Sequence, residues 1–238
     1  MSTSINFKKG VVLSIDKPMD WTSLDVVNTL RFSVKHKLQV KKIQVGHAGT
    51  LDPMATGLLI LCIGKYTKCI EQLTGMDKCY TTTVKLGAST PSYDAESEED
   101  GQYPTEHINE ALIEQALESY RGPIEQLPPM FSAIKIKGQA LYKLARKGIT
   151  IERKTRPVTI HRCDLVKYED PSLDLDIECT KGTYIRSLGH DIGKSLDSGG
   201  YLTALRRTSI GQYKVDGALQ IPEAAEWINN VELIPDEL

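Results

Sequence analysis

Residues 46 to 63 read GHAGTLDPMATGLLILCI, a glycine-rich loop that runs straight into an unbroken apolar stretch. That stretch is far too short to cross a bilayer. It reads instead as a fully buried strand, which requires a core around it. The chain can supply one: it has 238 residues, 40% of them hydrophobic. The loop is the odder half. Pro53 disfavours the helical region for Asp52, so the acid sits on extended backbone. Gly46, Gly49 and Gly57 permit sharp turns or close backbone approach. An acid held there is presented rather than packed. The plain alternative is a turn aspartate bonded to neighbouring N–H groups.

The rest of the chain alternates strands and helices without internal repeats. Residues 11 to 15 read as a strand. Thr22 or Ser23 then caps a helix carrying Leu24, Val27, Leu30 and Arg31. Residues 65 to 73 read as helical and 80 to 87 as a β-branched strand. A helix with Ile108, Leu112, Ala116, Leu117 and Tyr120 on one face stops at Gly122. Strands follow at 157 to 168 and 173 to 179. In the second, Leu173, Leu175, Ile177 and Cys179 alternate with acids. Helices are expected from Tyr184 to Leu196 and from Pro222 through Trp227. The spacing is hairpin-like rather than βαβ, which predicts an α+β fold with a mainly antiparallel sheet.

The N-terminus has no apolar signal region, and the expectation is a cytoplasmic protein. The five cysteines form no C-x-x-C pair, so neither a disulfide framework nor a zinc site follows. The net charge of -2 hides an asymmetry. Lys135 to Arg162 holds nine Lys or Arg against one acid, and Arg31 to Lys42 holds five more basic residues and none. Asp94 to Glu118 holds nine acids and no Lys or Arg. Such segments can present a basic face to a polyanion, although a single charge run is usually a solvated surface.

The loop resembles the catalytic motif of the TruB family of tRNA pseudouridine synthases, G-H-x-G-x-L-D-P-x-A-x-G, and here it is complete from Gly46 to Gly57. The likeness continues in order through IDKPMDWTS (15 to 23), CYTTTVKLGASTPSYDAE (79 to 96), PPMFSAIKIKGQALYKLARKG (128 to 148), KGTYIRSLGHDIG (181 to 193) and LRRTSIGQY (205 to 213). Two departures stand out: Asp20 replaces the usual glycine of DKP-x-G, and Phe131 replaces a common tyrosine.

The resemblance implies a pseudouridine synthase fold, with a mixed, mainly antiparallel sheet flanked by helices and an RNA-binding insertion. It implies isomerisation of uridine 55 in the T-loop of tRNA, by base flipping and nucleophilic catalysis by Asp52. No metal and no cofactor are required. Tyr80 would pack on the uracil and Tyr184 would shape the pocket. His47 would support the extruded nucleotide. Arg186 would lie beside the catalytic acid and keep it ionised. Read without the resemblance, Arg186 is an exposed helix arginine and Tyr80 a core tyrosine. The RNA-binding candidates are Lys17, Lys68, Lys135, Lys137, Arg146, Arg153, Arg206 and Arg207. The organisation expected is one catalytic domain over 1–238. Its basic insertion, 128–156, is mobile and orders on RNA. No C-terminal PUA domain follows. The partner is the tRNA T-arm, the protein a monomer, and no membrane is involved. The competing reading is an inactive tRNA-binding or chaperone module of the same fold. A glycosidase would need a second carboxylate, and none stands out near the motif.

Overall fold

The computed structural model describes residues 4–132, 134–136 and 138–234. In chain order the elements are β1 (Val11–Lys17), α1 (Ser23–Leu38), β2 (Val45–Ala48), β3 (Thr56–Ile63), a 3-10 turn (Gly64–Cys69), α2 (Ile70–Thr74) and β4 (Lys78–Leu86). Then come β5 (Ala88–Ser89), β6 (Gly101–Gln102), α3 (Glu110–Glu118), β7 (Gly122–Gln126), β8 (Lys135–Ile136), β9 (Gln139–Ala140) and α4 (Leu141–Ala145). The last are β10 (Arg156–Glu169), β11 (Ser172–Cys179), α5 (Ile185–Ser195), β12 (Gly200–Ile210), β13 (Tyr213–Lys214) and α6 (Ile221–Asn230). The chain forms two compact units, one from residues up to Cys79 together with those from Arg206 on, the other from Tyr80 to Leu205.

In the first unit β3 is the spine. It pairs antiparallel with β1, Leu13 opposite Leu61, and with β2, His47 opposite Leu61 from the other side. The start of β3 also pairs in parallel with β12, through Arg206 opposite Thr56 and Arg207 opposite Gly57. The apolar run is unbroken because both faces of β3 are covered. Leu59, Leu61 and Ile63 pack with Leu13, Ile15 and the inner faces of α1 and α6. Leu58, Ile60 and Cys62 pack with Ala48, Leu73 and Ile210. Thr22 caps α1 through a reciprocal pair: its hydroxyl accepts from Asp25 N–H at 3.1 Å, and Asp25 accepts from Thr22 N–H at 3.0 Å. The buried stripe of α1 is Val26, Val27, Leu30 and Val34. Leu24, expected on that face, is 59% exposed, because it lies in the first turn on the far side of Val26.

In the second unit β12, β4, β11, β10 and β7 are neighbours in that order, with β10 antiparallel to both β11 and β7. The expected alternation of β11 holds: Leu173, Leu175, Ile177 and Cys179 are buried. Its other face is not simply wet, since Arg162 pairs with Asp176 at 3.0 Å and Thr83 donates to Asp174 at 2.6 Å. In α3 the buried residues are Ile113, Ala116 and Leu117, while Leu112 is 38% exposed. Asn109 caps that helix, and Ile108, Ala116 and Leu117 of the expected face are buried.

The stretch 65–73 is a 3-10 turn followed by a single turn of α-helix rather than one helix. The basic insertion folds into the β8–β9 hairpin and α4 around Met130, Leu141 and Leu144, with Phe131, Ile134 and Ile151 against them. It therefore has a small apolar core of its own. Cys62, Cys163 and Cys179 are buried thiols. Among the described residues, no helix is long and apolar enough to cross a membrane.

Candidate active site

The loop carrying Asp52 is fixed through its main chain. Ser23 Oγ accepts from Leu51 N–H at 2.8 Å and donates to Leu51 C=O at 3.0 Å, which clamps the residue before the acid. Because this hydroxyl is occupied, Thr22 and not Ser23 caps α1. On the other side, Asp52 C=O accepts from Ala55 N–H at 3.1 Å in a tight turn. Pro53 C=O accepts from Asp20 N–H at 2.9 Å and from the Lys17 ammonium at 3.2 Å. Asp52 itself is half-buried.

Lys17 is 0% exposed, and its ammonium also donates to Pro18 C=O at 2.8 Å and Trp21 C=O at 2.6 Å. A buried cation is tolerated only when hydrogen-bonded in this way. Its charge is spent inside the protein, so Lys17 leaves the set of RNA-contact candidates. Asp20 has φ 64°, the left-handed region that glycine prefers and aspartate tolerates. The turn that glycine would make is therefore made by Asp20.

Gly57 starts β3 with φ +98°, and a Cβ there would lie 2.3 Å from Arg207 C=O. Arg207 is 1% exposed; its Nε donates to Leu58 C=O at 2.8 Å and an Nη to Gly49 C=O at 3.0 Å. It ties the two ends of the Asp52 loop together, which is a bracing role and not a phosphate contact. Arg206 grips Asp16 with two hydrogen bonds, 3.0 and 2.7 Å, and keeps partial exposure. His47 is half-buried on β2 with its Nδ1 enclosed and without a hydrogen-bond partner. Burial holds its imidazole below the usual range, and the Arg207 charge pushes the same way. It is a neutral ring at neutral pH.

In the second unit Tyr80 is buried at the start of β4. Tyr184 precedes α5, and its main chain is gripped by the Gln126 amide, which accepts at 2.8 Å and donates at 3.0 Å. Arg186 is 5% exposed, so it is not the surface arginine that its helical position suggests. Its guanidinium donates to Ser92 C=O at 3.0 Å and Phe131 C=O at 2.7 Å. It lies 3.0 Å from Asp94 Oδ2, at ion-pair distance but off the line of a hydrogen bond. Asp94 Oδ1 accepts from Ser92 Oγ at 2.6 Å and from Glu96 N–H at 3.0 Å. Beside it Tyr93 stacks on His190, ring centroids 3.9 Å apart. The backbone carbonyl of Phe131 serves here, so its missing hydroxyl does not matter to this contact.

Two residues that brace this arrangement, Asp94 and Ser23, escape a reading of the sequence. Asp94 is hidden in an acidic run that reads as surface, and Ser23 reads as a cap. The remaining cations are spread out. Lys68 and Lys135 are exposed. Arg146 is exposed, with its guanidinium 5.7 Å from the Tyr142 ring centre. Arg153 donates to Pro128 C=O at 2.9 Å. Lys137 lies outside the described residues. Among the described residues, no three His, Cys, Asp or Glu side chains gather as a metal site would need.

Comparison with known proteins shows which family the chain resembles. Residues 35–185 match the family model described as TruB family pseudouridylate synthase (N terminal domain). The tRNA pseudouridine synthase B of Phocaeicola vulgatus is 48% identical over 229 residues, covering 96% of this chain and 97% of the relative. That of Flavobacterium johnsoniae is 50% identical over 220 residues, covering 92% and 96%. Among solved structures, a chain in the crystal structure of a Cbf5-Nop10-Gar1 complex superposes with a TM-score of 0.69 at 26% identity, over 93% of this chain and 55% of that one. The motif, the fold and these relatives together place the chain in the TruB family of pseudouridylate synthases.

Proposed function

We propose that this protein isomerises uridine to pseudouridine in tRNA, at position 55 of the T-loop, with Asp52 as the nucleophile. The observation that carries the reading is the loop itself. Both neighbours of a half-buried carboxylate are held by main-chain hydrogen bonds from Ser23, Asp20 and Lys17, and the loop ends are tied by Arg207. A turn aspartate with no role would not need such bracing. Holding a reactive group in place ahead of the reaction is a large part of what an active site contributes.

The reaction breaks the base–ribose C–N bond and rejoins the ring through carbon, with no net redox change. One ionised carboxylate suffices, whether it attacks ribose C1′, removes a proton from C2′ or adds to C6 of the ring. Tyr80 is assigned the stacking role on the everted uracil, Tyr184 the pocket wall, and His47 the support of the flipped nucleotide, which a neutral imidazole can provide. Arg186 is assigned the role of fixed cation that favours the ionised acid. The same reading has the enzyme working as a monomer in the cytoplasm, on the T-arm of tRNA.

The test is tritium release from T-arm RNA labelled at C5 of uracil, because C5 loses its hydrogen when it bonds to ribose. Release without added metal or nucleotide is the expected result. Tight binding with no release would replace this reading with that of a binding module.

A further inference from the structure

We infer that a basic groove at the C-terminal end of α1 is a separate contact for the sugar-phosphate backbone of the substrate RNA; the inference rests on the tRNA reading above. The groove has a volume of about 560 Å³, and its lining includes Arg31, Lys35, Lys41 and Lys42 together with Gln44 and Thr67. All of it belongs to the first unit.

The fold assembles this cluster. Arg31 and Lys35 are four apart on α1 and share a face. The helix ends at Gln39, whose φ of 52° turns the chain back. Lys41 and Lys42 are thereby carried onto the rim of the same groove. The floor is stiff: Gly64 N–H donates to Gln44 C=O at 2.9 Å, and Thr67 Oγ1 donates to Gln44 Oε1 at 3.2 Å. Arg31 is steadied from behind by a 3.4 Å contact to Val45 C=O.

A basic last turn can exist only to complement the helix dipole. That accounts for Lys35, His36 and Lys37. It does not account for Lys41 and Lys42, which lie beyond the cap and are exposed. Among the described residues, the ion pairs involve other cations, and none of these four is neutralised by an acid. Four uncompensated cations around an open groove suit successive phosphates of a backbone better than a small enclosed ligand. Position adds to this. Val45 and Gly46 line the groove and begin β2, and Asp52 is six residues beyond Gly46. The two sites are at most about 20 Å apart along the chain. One stem-loop could touch both.

The test compares tRNA binding by the parent, by K35Q/K41Q/K42Q and by the charge-matched control K167Q/K194Q/K214Q, at salt from 50 to 200 mM. Removing one phosphate contact flattens the log–log salt dependence by about 0.7–0.9. Removing three makes the slope shallower by about 2.1–2.7, so raising salt over this range weakens the parent about 18- to 42-fold more than the groove variant. The expected pattern is that flattening in the groove variant alone, with a raised KM and an unchanged kcat. A parental slope in the groove variant, or equal flattening in the control, would overturn the proposal. Uridine conversion by the parent is scored in parallel. Conversion with a parental slope in the variant removes the groove alone. Absence of conversion removes the tRNA reading.

Discussion

Gly57→Ala tests whether the Asp52 loop depends on the backbone contact behind it. Two costs combine at this position. The first is conformational: at φ +98° a side chain occupies a region that non-glycine residues enter at a cost of about 1–2 kcal/mol. The second is steric: the new Cβ would sit 2.3 Å from Arg207 C=O and 2.8 Å from Arg207 N. Both are backbone atoms in a paired strand and cannot swing aside, so β3 and β12 must part locally, at about 1–3 kcal/mol for an overpacked site. Together the change should destabilise by about 2–5 kcal/mol. For a chain of this size that lowers Tm by about 4–20 °C. Gly122→Ala supplies the comparison. Gly122 has φ +90° and nothing within 4 Å of its would-be Cβ, so only the first cost applies. Thermal and urea unfolding of the two variants should therefore differ by the steric share. Gly57→Ala should also lose turnover, because Arg207 ties Gly49 to Leu58 across the loop. Equal stability of the two variants, or parental turnover by Gly57→Ala, would refute the bracing argument.

Three further outcomes follow from the same geometry. Asp94→Ala leaves the Arg186 guanidinium buried without its carboxylate and should cost about 3–5 kcal/mol, read by urea unfolding; a cost below about 1 kcal/mol would mean that the two carbonyls suffice. Lys17→Met strands the carbonyls of Pro18 and Trp21, leaves Pro53 C=O with Asp20 N–H alone, and should lower both Tm and turnover, whereas Lys68→Gln, on the surface, should leave Tm unchanged. Burial raises Asp191 from 3.8 to about 6, with Lys194 opposing the shift. The folded state then holds this proton more tightly than the unfolded chain, so stability is lost as pH rises from about 4 to 6. Asp191→Asn should stabilise by about 2–3 kcal/mol at about pH 7.5 and by nothing at about pH 3, and an equal effect at both would contradict the assignment.

Much of this molecule was legible from periodicity and spacing. The apolar run of β3, the clean alternation of β11 and the long amphipathic α5 are signals that local physics writes directly into a sequence. What escaped was long-range. β12 carries Arg206 and Arg207 in mid-strand, which breaks any apolar pattern, because one arginine answers Asp16 and the other answers Gly49 and Leu58. Lys17 reads as a surface cation until three carbonyls are seen to surround it. Leu24 and Leu112 are exposed beside buried Ser23 and Ile113, because tertiary packing decides which edge of an apolar stripe is covered. Asp94 is the plainest case. Its neighbours are acids, so charge counting makes it solvated, yet Arg186, distant in sequence, meets it in the interior.

The central claim is that the Asp52 carboxylate performs the chemistry and is not merely a turn residue. Single-turnover conversion of labelled T-arm RNA by Asp52→Asn, with enzyme in excess, tests it most directly. Asparagine keeps the shape and removes the charge. The expected rate is at least about 10⁴-fold below the parent, with RNA affinity within about twofold. Conversion near the parental rate would contradict it.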